Sequence, residues 1–142
     1  MLRILYKSGL YNYPVLDGTK NAIEGGMVAT FCSNRTVKKC SPGDIPCGFF
    51  WQDLPPDDTL YFSNFNNSVM VSVLVGLGEF STDVFEPGNY RINDFLYCSE
   101  NSKVTNDPKY KGNIIIGLVN YVTPEEIGFV TMHARGLDLE QS

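Results

Sequence analysis

The apolar residues of this chain occur in short runs, and this feature restricts the fold more than any other. The runs have the length of strands, and turn residues such as Gly25-Gly26, Pro55-Pro56 and Glu86-Pro87-Gly88 separate them. No amphipathic segment of about ten or more residues has the period of a helix. Strands that recur roughly every 8–12 residues with Gly, Pro and Asn between them are typical of sandwiches and small barrels. The sequence therefore predicts an all-β fold, a single β-sandwich or small barrel domain with long loops.

Several strands can be assigned from this pattern. Val69 to Val75 is rich in β-branched residues and nearly continuous in apolarity, which predicts a central strand covered on both faces. Gly76-Leu77-Gly78 then predicts a tight hairpin into the alternating segment Glu79 to Phe85. Earlier in the chain, Met27 to Cys32 and Val37 to Cys40 are expected to form another hairpin.

The presence or absence of strand patterns divides the chain into three parts. Residues 1–24 contain turn pairs such as Asp17-Gly18 and show no strand pattern, so we expect an irregular N-terminal arm there. Residues 25–136 hold the single β domain. Residues 137–142 form an acidic tail that is expected to fray.

Length, composition and charge exclude several classes of protein. A chain of 142 residues suits one domain, and a hydrophobic share of 43% is too high for an intrinsically disordered protein. The net charge of −5 argues against a nucleic-acid partner, because nucleic-acid phosphates attract basic surfaces. No run approaches the ~18 apolar residues of a membrane span, so we expect no membrane partner.

No motif for catalysis, cofactor binding or metal binding is present in the sequence. The four cysteines are Cys32, Cys40, Cys47 and Cys98, and they lack the paired close spacing of zinc ligands. His133 is the single histidine, and no motif supplies it with a nucleophile to activate. We therefore expect no enzyme activity, no cofactor and no metal site.

The cysteines are nevertheless the chemical feature of greatest interest. Cys40 and Cys47 flank the turn-rich segment 41–46, so a disulfide between them would close a short loop in an oxidising environment. A disulfide between chains is the alternative. Cys32 and Cys98 lie within strand patterns, where a buried free thiol is the commonest outcome.

Aromatic side chains concentrate in two segments that suit contacts between subunits. One segment is the N-terminal arm, and the other precedes a region rich in Pro and Asn. Tyr, Phe and Trp are enriched at protein interfaces, although packing within the domain itself is the alternative. The candidate inter-subunit residues are Tyr6, Tyr11, Tyr13, Phe49, Phe50 and Trp51.

Basic residues also cluster, although the chain as a whole is acidic. The clusters are Arg35, Lys38 and Lys39 in one predicted hairpin, and Lys103, Lys109 and Lys111 in a later loop. Solvated turns are the simplest interpretation. The alternative is that a basic loop docks onto an acidic neighbouring copy, because complementary charge fixes register and speeds encounter.

The second half of the chain has a recognisable order of turns and strands. Residues 89–99 lead through a turn into Lys103-Val104-Thr105, and residues 112–119 lead to a final strand through Gly128-Phe129-Val130. This order resembles that of small virion proteins of tailed bacteriophages, in particular head decoration (cement) proteins. Residues 23–29 are similar to the usual first strand of those proteins.

The resemblance implies a structural protein on the outer surface of the capsid, assembled in the host cytoplasm. Decoration proteins of this kind bind the major capsid protein, bridge its neighbouring copies and stabilise the shell, commonly as trimers. The alternative interpretations are a tail, collar or baseplate β-domain of a phage, or a small receptor- or glycan-binding β-module.

Overall fold

The structure is a computed structural model, and it describes most of the chain. The described residues are 2–6, 9–15, 23–32, 35–53, 70–76 and 78–131. This part of the chain contains eleven strands and one short 3-10 helix, Pro108–Tyr110. None of its helices is long and apolar enough to cross a membrane.

The strands, numbered in chain order, form two antiparallel sheets, which confirms the predicted all-β sandwich or small barrel. In spatial order the first sheet contains β1 (Leu2–Tyr6), β7 (Glu79–Thr82), β11 (Ile127–Thr131), β10 (Gly117–Val122), β8 (Phe95–Cys98) and β9 (Val104–Thr105). The second sheet contains β2 (Gly9–Pro14), β6 (Met70–Val75), β5 (Gly48–Phe50), β3 (Val28–Phe31) and β4 (Val37–Lys39).

The second sheet curls into a half-barrel. Val15, which follows β2, forms a bridge with Val37 of β4, so the first and last strands of this sheet approach each other. The rings of Tyr13 and Phe31 also meet edge-on, with their centroids 5.1 Å apart. The curl encloses an apolar cluster, the half-barrel core: Val15, Ile23, Met27, Ala29, Val37, Phe50, Val71, Val73 and Val84.

The other face of the second sheet packs against the first sheet. Three phenylalanines lie at the centre of this contact: Phe49 from β5, Phe80 from β7 and Phe129 from β11, with ring centroids 5.4–5.8 Å apart. Strand β6 contributes Leu74 to this inter-sheet core and Val73 to the half-barrel core. Burial on both sides at Val73 and Leu74 explains the nearly continuous apolar sequence, and the predicted strand is confirmed.

The expectation of an irregular arm over residues 1–24 is wrong for most of its described part. Residues Leu2–Tyr6 pair with β7, and residues Gly9–Pro14 pair with β6. Their partners are about 60 to 80 residues away in the sequence, and such pairing leaves no local signal. The domain therefore begins at β1, while residues 16–22, His133 and the tail 137–142 lie outside the described residues.

The connection after β6 also differs from the prediction. Strand β6 pairs with β2 and β5 in the second sheet, whereas β7 pairs with β1 and β11 in the first sheet. Gly76 has a φ of 102° at the end of β6, a conformation that glycine adopts without steric cost. The chain therefore crosses between sheets at this point and does not form a hairpin.

Candidate functional site

Hydrogen bonds join the two sheets where β4 ends and where a turn connects β8 to β9. The backbone oxygen of Cys40 accepts hydrogen bonds from the Cys98 thiol at 3.2 Å and from the Ser102 hydroxyl at 2.6 Å. The backbone oxygen of Ser102 accepts one from the Val28 N–H at 2.7 Å. We call these four residues, Val28, Cys40, Cys98 and Ser102, the sheet junction. Its cross-sheet bonds hold β3 and β4 against the β8–β9 turn.

The thiols of the junction are buried in the closed domain. Cys40 and Cys98 are 0% and 4% exposed, and all four cysteines of the chain are free thiols in the structure. A hydrogen bond between the Cys98 and Cys40 side chains, together with burial, raises the pKa of Cys40 far above its usual range. Burial raises the pKa of Cys47 to about 12. Because the thiolate is the nucleophilic form, neither Cys40 nor Cys47 is suited to covalent catalysis.

The structure corrects the predicted disulfide between Cys40 and Cys47. Cys40 follows β4 and Cys47 precedes β5, and these strands lie on opposite sides of β3. Strands two positions apart in a sheet are separated by about 10 Å. A disulfide tolerates a Cα separation of at most about 7 Å. Cys32, which was expected to be buried, is exposed just beyond β3.

An open cavity of about 500 Å³ adjoins the junction and brings together lysines from both sheets. Its lining residues are Met27, Lys38, Lys39, Ser41, Glu100, Asn101, Ser102 and Lys103. Lys38 and Lys39 belong to β4, and Lys103 precedes β9, so parts of both basic sequence clusters meet here. None of these three ammonium groups forms an ion pair with a described carboxylate. We call this feature the lysine cavity.

The aromatic segment at residues 49–51 was predicted to contact other subunits, and the structure places it in the core. Phe49 belongs to the inter-sheet core and Phe50 to the half-barrel core, and both are buried. Trp51 is half-buried and packs against the inter-sheet core. The prediction that Phe49 and Phe50 contact other subunits is therefore wrong, because β5 is an interior strand of its sheet with an apolar core on each face.

The N-terminal tyrosines of β2 are more exposed than these phenylalanines, because β2 is an edge strand. Tyr11 is 55% exposed, and Tyr13 is half-buried against Phe31. Leu10 and Phe31, which the sequence did not single out, are 48% and 46% exposed. Tyr11 and Tyr13 share one face of β2, whereas Leu10 lies on the opposite face, so we call Tyr11, Tyr13 and Phe31 the β2–β3 patch. The side chain of the remaining candidate, Tyr6, lies outside the described residues.

Tyr90 provides a titratable group whose environment can be tested directly. Its hydroxyl donates a hydrogen bond to the backbone oxygen of Glu86 at 2.5 Å, and its ring packs edge-on against Phe85. Burial is the largest cause that raises its pKa to about 12, and a hydrogen bond with Thr105 opposes that shift.

We expect the free energy of unfolding to fall as the pH rises from about 10 to about 12. In this range the unfolded chain, with an ordinary tyrosine pKa of 10.0, releases a proton that folded Tyr90 keeps. Urea unfolding of the wild type and of Tyr90→Phe at several pH values would check this. The variant should show a smaller decrease over this range, and identical pH profiles for the two proteins would contradict the expectation.

The described residues contain no group of three or more His, Cys, Asp or Glu side chains that could hold a metal ion. No protein-family model fits the chain, and no curated protein matches it. The sheet junction, the lysine cavity and the β2–β3 patch are therefore interpreted from their own residues.

Proposed function

We propose that this chain is a non-enzymatic virion protein that decorates the phage head. It binds the outside of the capsid, bridges neighbouring major capsid proteins as a homo-oligomer, a trimer, and stabilises the shell. The sequence resemblance to cement proteins supports this proposal. The structural observation that supports it best is the β2–β3 patch, because apolar side chains grouped at the surface of a small domain mark a protein-binding site.

The patch suits a protein partner for a physical reason. Tyr11 and Tyr13 share one face of β2, an edge strand of the second sheet, and the ring of Tyr13 contacts the ring of Phe31. Tyr and Phe supply large contact areas at a low cost in side-chain entropy, so such residues dominate the energy of many interfaces. Covering this patch with a capsid protein removes apolar surface from water and links the decoration protein to the shell.

The lysine cavity supports the same proposal through charge. The chain has a net charge of −5, yet this cavity is lined by three lysines that form no ion pair with a carboxylate in the described part of the chain. An acidic surface on the partner would be attracted there and repelled by the acidic parts of the chain. This arrangement fixes the orientation in which the protein docks.

The test of the proposed function is the location and copy number of the protein in virions. Purified particles are separated into heads and tails, and peptides from each fraction are quantified by mass spectrometry. A copy number comparable to that of the major capsid protein, confined to heads, is expected. A few copies in the tail fraction, or absence from particles, would overturn the proposal.

Charge reversal in the lysine cavity should weaken attachment to heads. We expect Lys38→Glu combined with Lys103→Glu to reduce affinity about tenfold or more, because both charges would then repel an acidic partner surface. The measurement is the binding of purified protein to heads that lack it, at two salt concentrations. Lys109→Glu combined with Lys111→Glu is the matched control, because both lysines are exposed, both lie outside the cavity and the change in net charge is the same. Equal losses in the variant and the control would contradict a role for this cavity.

A further inference from the structure

Cys40 and Cys98 form a pair that no local sequence pattern indicates. Cys40 follows β4 in the second sheet, and Cys98 ends β8 in the first sheet. The Cys98 thiol donates a hydrogen bond to the backbone oxygen of Cys40, with the sulfur 3.2 Å from that oxygen. Both residues belong to the inter-sheet core. The thiol of one buried cysteine is thus in direct contact with the other cysteine residue across the two sheets.

We propose that Cys40 and Cys98 are a disulfide site, at which a small-molecule disulfide such as oxidised glutathione converts the pair into a covalent link between the two sheets. Cys32 and Cys47 take no part in this link. Cys32 is exposed beyond β3, and Cys47 is separated from Cys40 by β3 and packs against the half-barrel core. The proposal does not depend on a role in virions.

The reaction proceeds by two thiol–disulfide exchanges. One cysteine of the pair loses its proton to solvent, and its thiolate attacks a sulfur of oxidised glutathione. The sulfur–sulfur bond breaks, one glutathione thiolate leaves, and a mixed disulfide forms. The second cysteine then loses its proton, its thiolate attacks the protein sulfur of the mixed disulfide, and the other glutathione thiolate leaves. The two glutathione thiolates take up the two protons that the cysteines released. Two protein thiols lose two electrons in total, and one oxidised glutathione becomes two reduced molecules.

Burial determines when the exchange takes place. The reagent cannot reach thiols that are 0% and 4% exposed while the junction is closed. Exchange therefore requires opening of the junction or occurs during folding, before the two sheets have packed. We expect slow oxidation of the native protein and fast oxidation of the refolding chain.

The link should stabilise the domain strongly. It would join residues 40 and 98, with 57 residues between them, and closing a loop of this size restricts the unfolded chain far more than closing a short one. We expect the midpoint of thermal unfolding to rise by on the order of 10 °C in the oxidised protein.

The test compares the full chain refolded in a glutathione redox buffer with the full chain refolded under reducing conditions. Peptide mapping without reduction should identify a peptide pair joined through Cys40 and Cys98, and the thermal midpoint should rise as stated. A bond between Cys40 and Cys47, a bond between chains, or four free thiols after refolding would each overturn the proposal.

Two variants separate the link from a general effect of losing a cysteine. Cys98→Ala should abolish the rise in thermal midpoint on oxidation, whereas Cys47→Ala should retain it. Circular dichroism under reducing conditions establishes that each variant is folded. If Cys98→Ala fails to fold, the mapping of Cys47→Ala decides alone, because the three cysteines that this variant keeps are the exposed Cys32 and the buried Cys40 and Cys98. A rise that is the same in both folded variants would contradict the proposal.

Discussion

Replacing Gly48 with alanine should destabilise the domain by about 4 kcal/mol or more, a loss that few single substitutions reach. A Cβ atom at this position would lie 2.0 Å from the backbone oxygen of Leu74, far inside van der Waals contact. Leu74 cannot retreat easily, because it pairs with both Leu10 and Phe49 and its side chain is buried in the inter-sheet core. Glycine at this point lets β5 approach β6 closely where the second sheet curls.

The measurement is the free energy of unfolding in urea, or the yield of soluble protein if the variant does not accumulate. Gly88→Ala is the matched control. Gly88 is exposed, and a Cβ there would meet its nearest atom, Asn106 Oδ1, at an ordinary 3.5 Å. The control should remain within about 0.5 kcal/mol of the wild type. Wild-type stability for Gly48→Ala would show that β5 and β6 do not pack as closely as the structure has them.

The fold class could be predicted because it depends on local patterns. Short apolar runs with turn residues between them are sufficient to indicate strands, and the β3–β4 hairpin follows from neighbouring segments. Strand β6 was recognisable because Val73 and Leu74, on its opposite faces, are buried in different cores. These features involve residues that are close together in the sequence or share one strand.

The features that the sequence analysis predicted wrongly or missed all depend on contacts between distant segments of the chain. Strands β1 and β2 have unremarkable sequences, and only their pairing with β7 and β6 makes them regular. Cys40 and Cys47 are near each other in the sequence, yet β3 lies between them, while Cys98 reaches Cys40 from the other sheet. The lysine cavity likewise forms only when the sheets come together.

A charge introduced into the half-barrel core should prevent folding. Val73 is fully buried there, paired with Tyr11 on one side and Phe50 on the other. The carboxylate of Val73→Asp would lie among valines and Phe50, away from water. An unpaired buried charge costs several kcal/mol even after its pKa shifts, which is comparable to the total stability of a small domain.

We therefore expect Val73→Asp to give no soluble folded protein, as measured by the soluble fraction and near-ultraviolet circular dichroism. Ser72→Asp is the control, because Ser72 is adjacent in β6 but half-exposed, and its hydroxyl bonds to Asn12 Oδ1 at 2.7 Å. Asn12 can turn its amide to donate to the new carboxylate, so this variant should fold with a loss of about 1 kcal/mol. A soluble Val73→Asp protein with the near-ultraviolet circular dichroism of the wild type would contradict this expectation. The interior of the half-barrel would then be open to water, and the curled second sheet would not enclose a packed core.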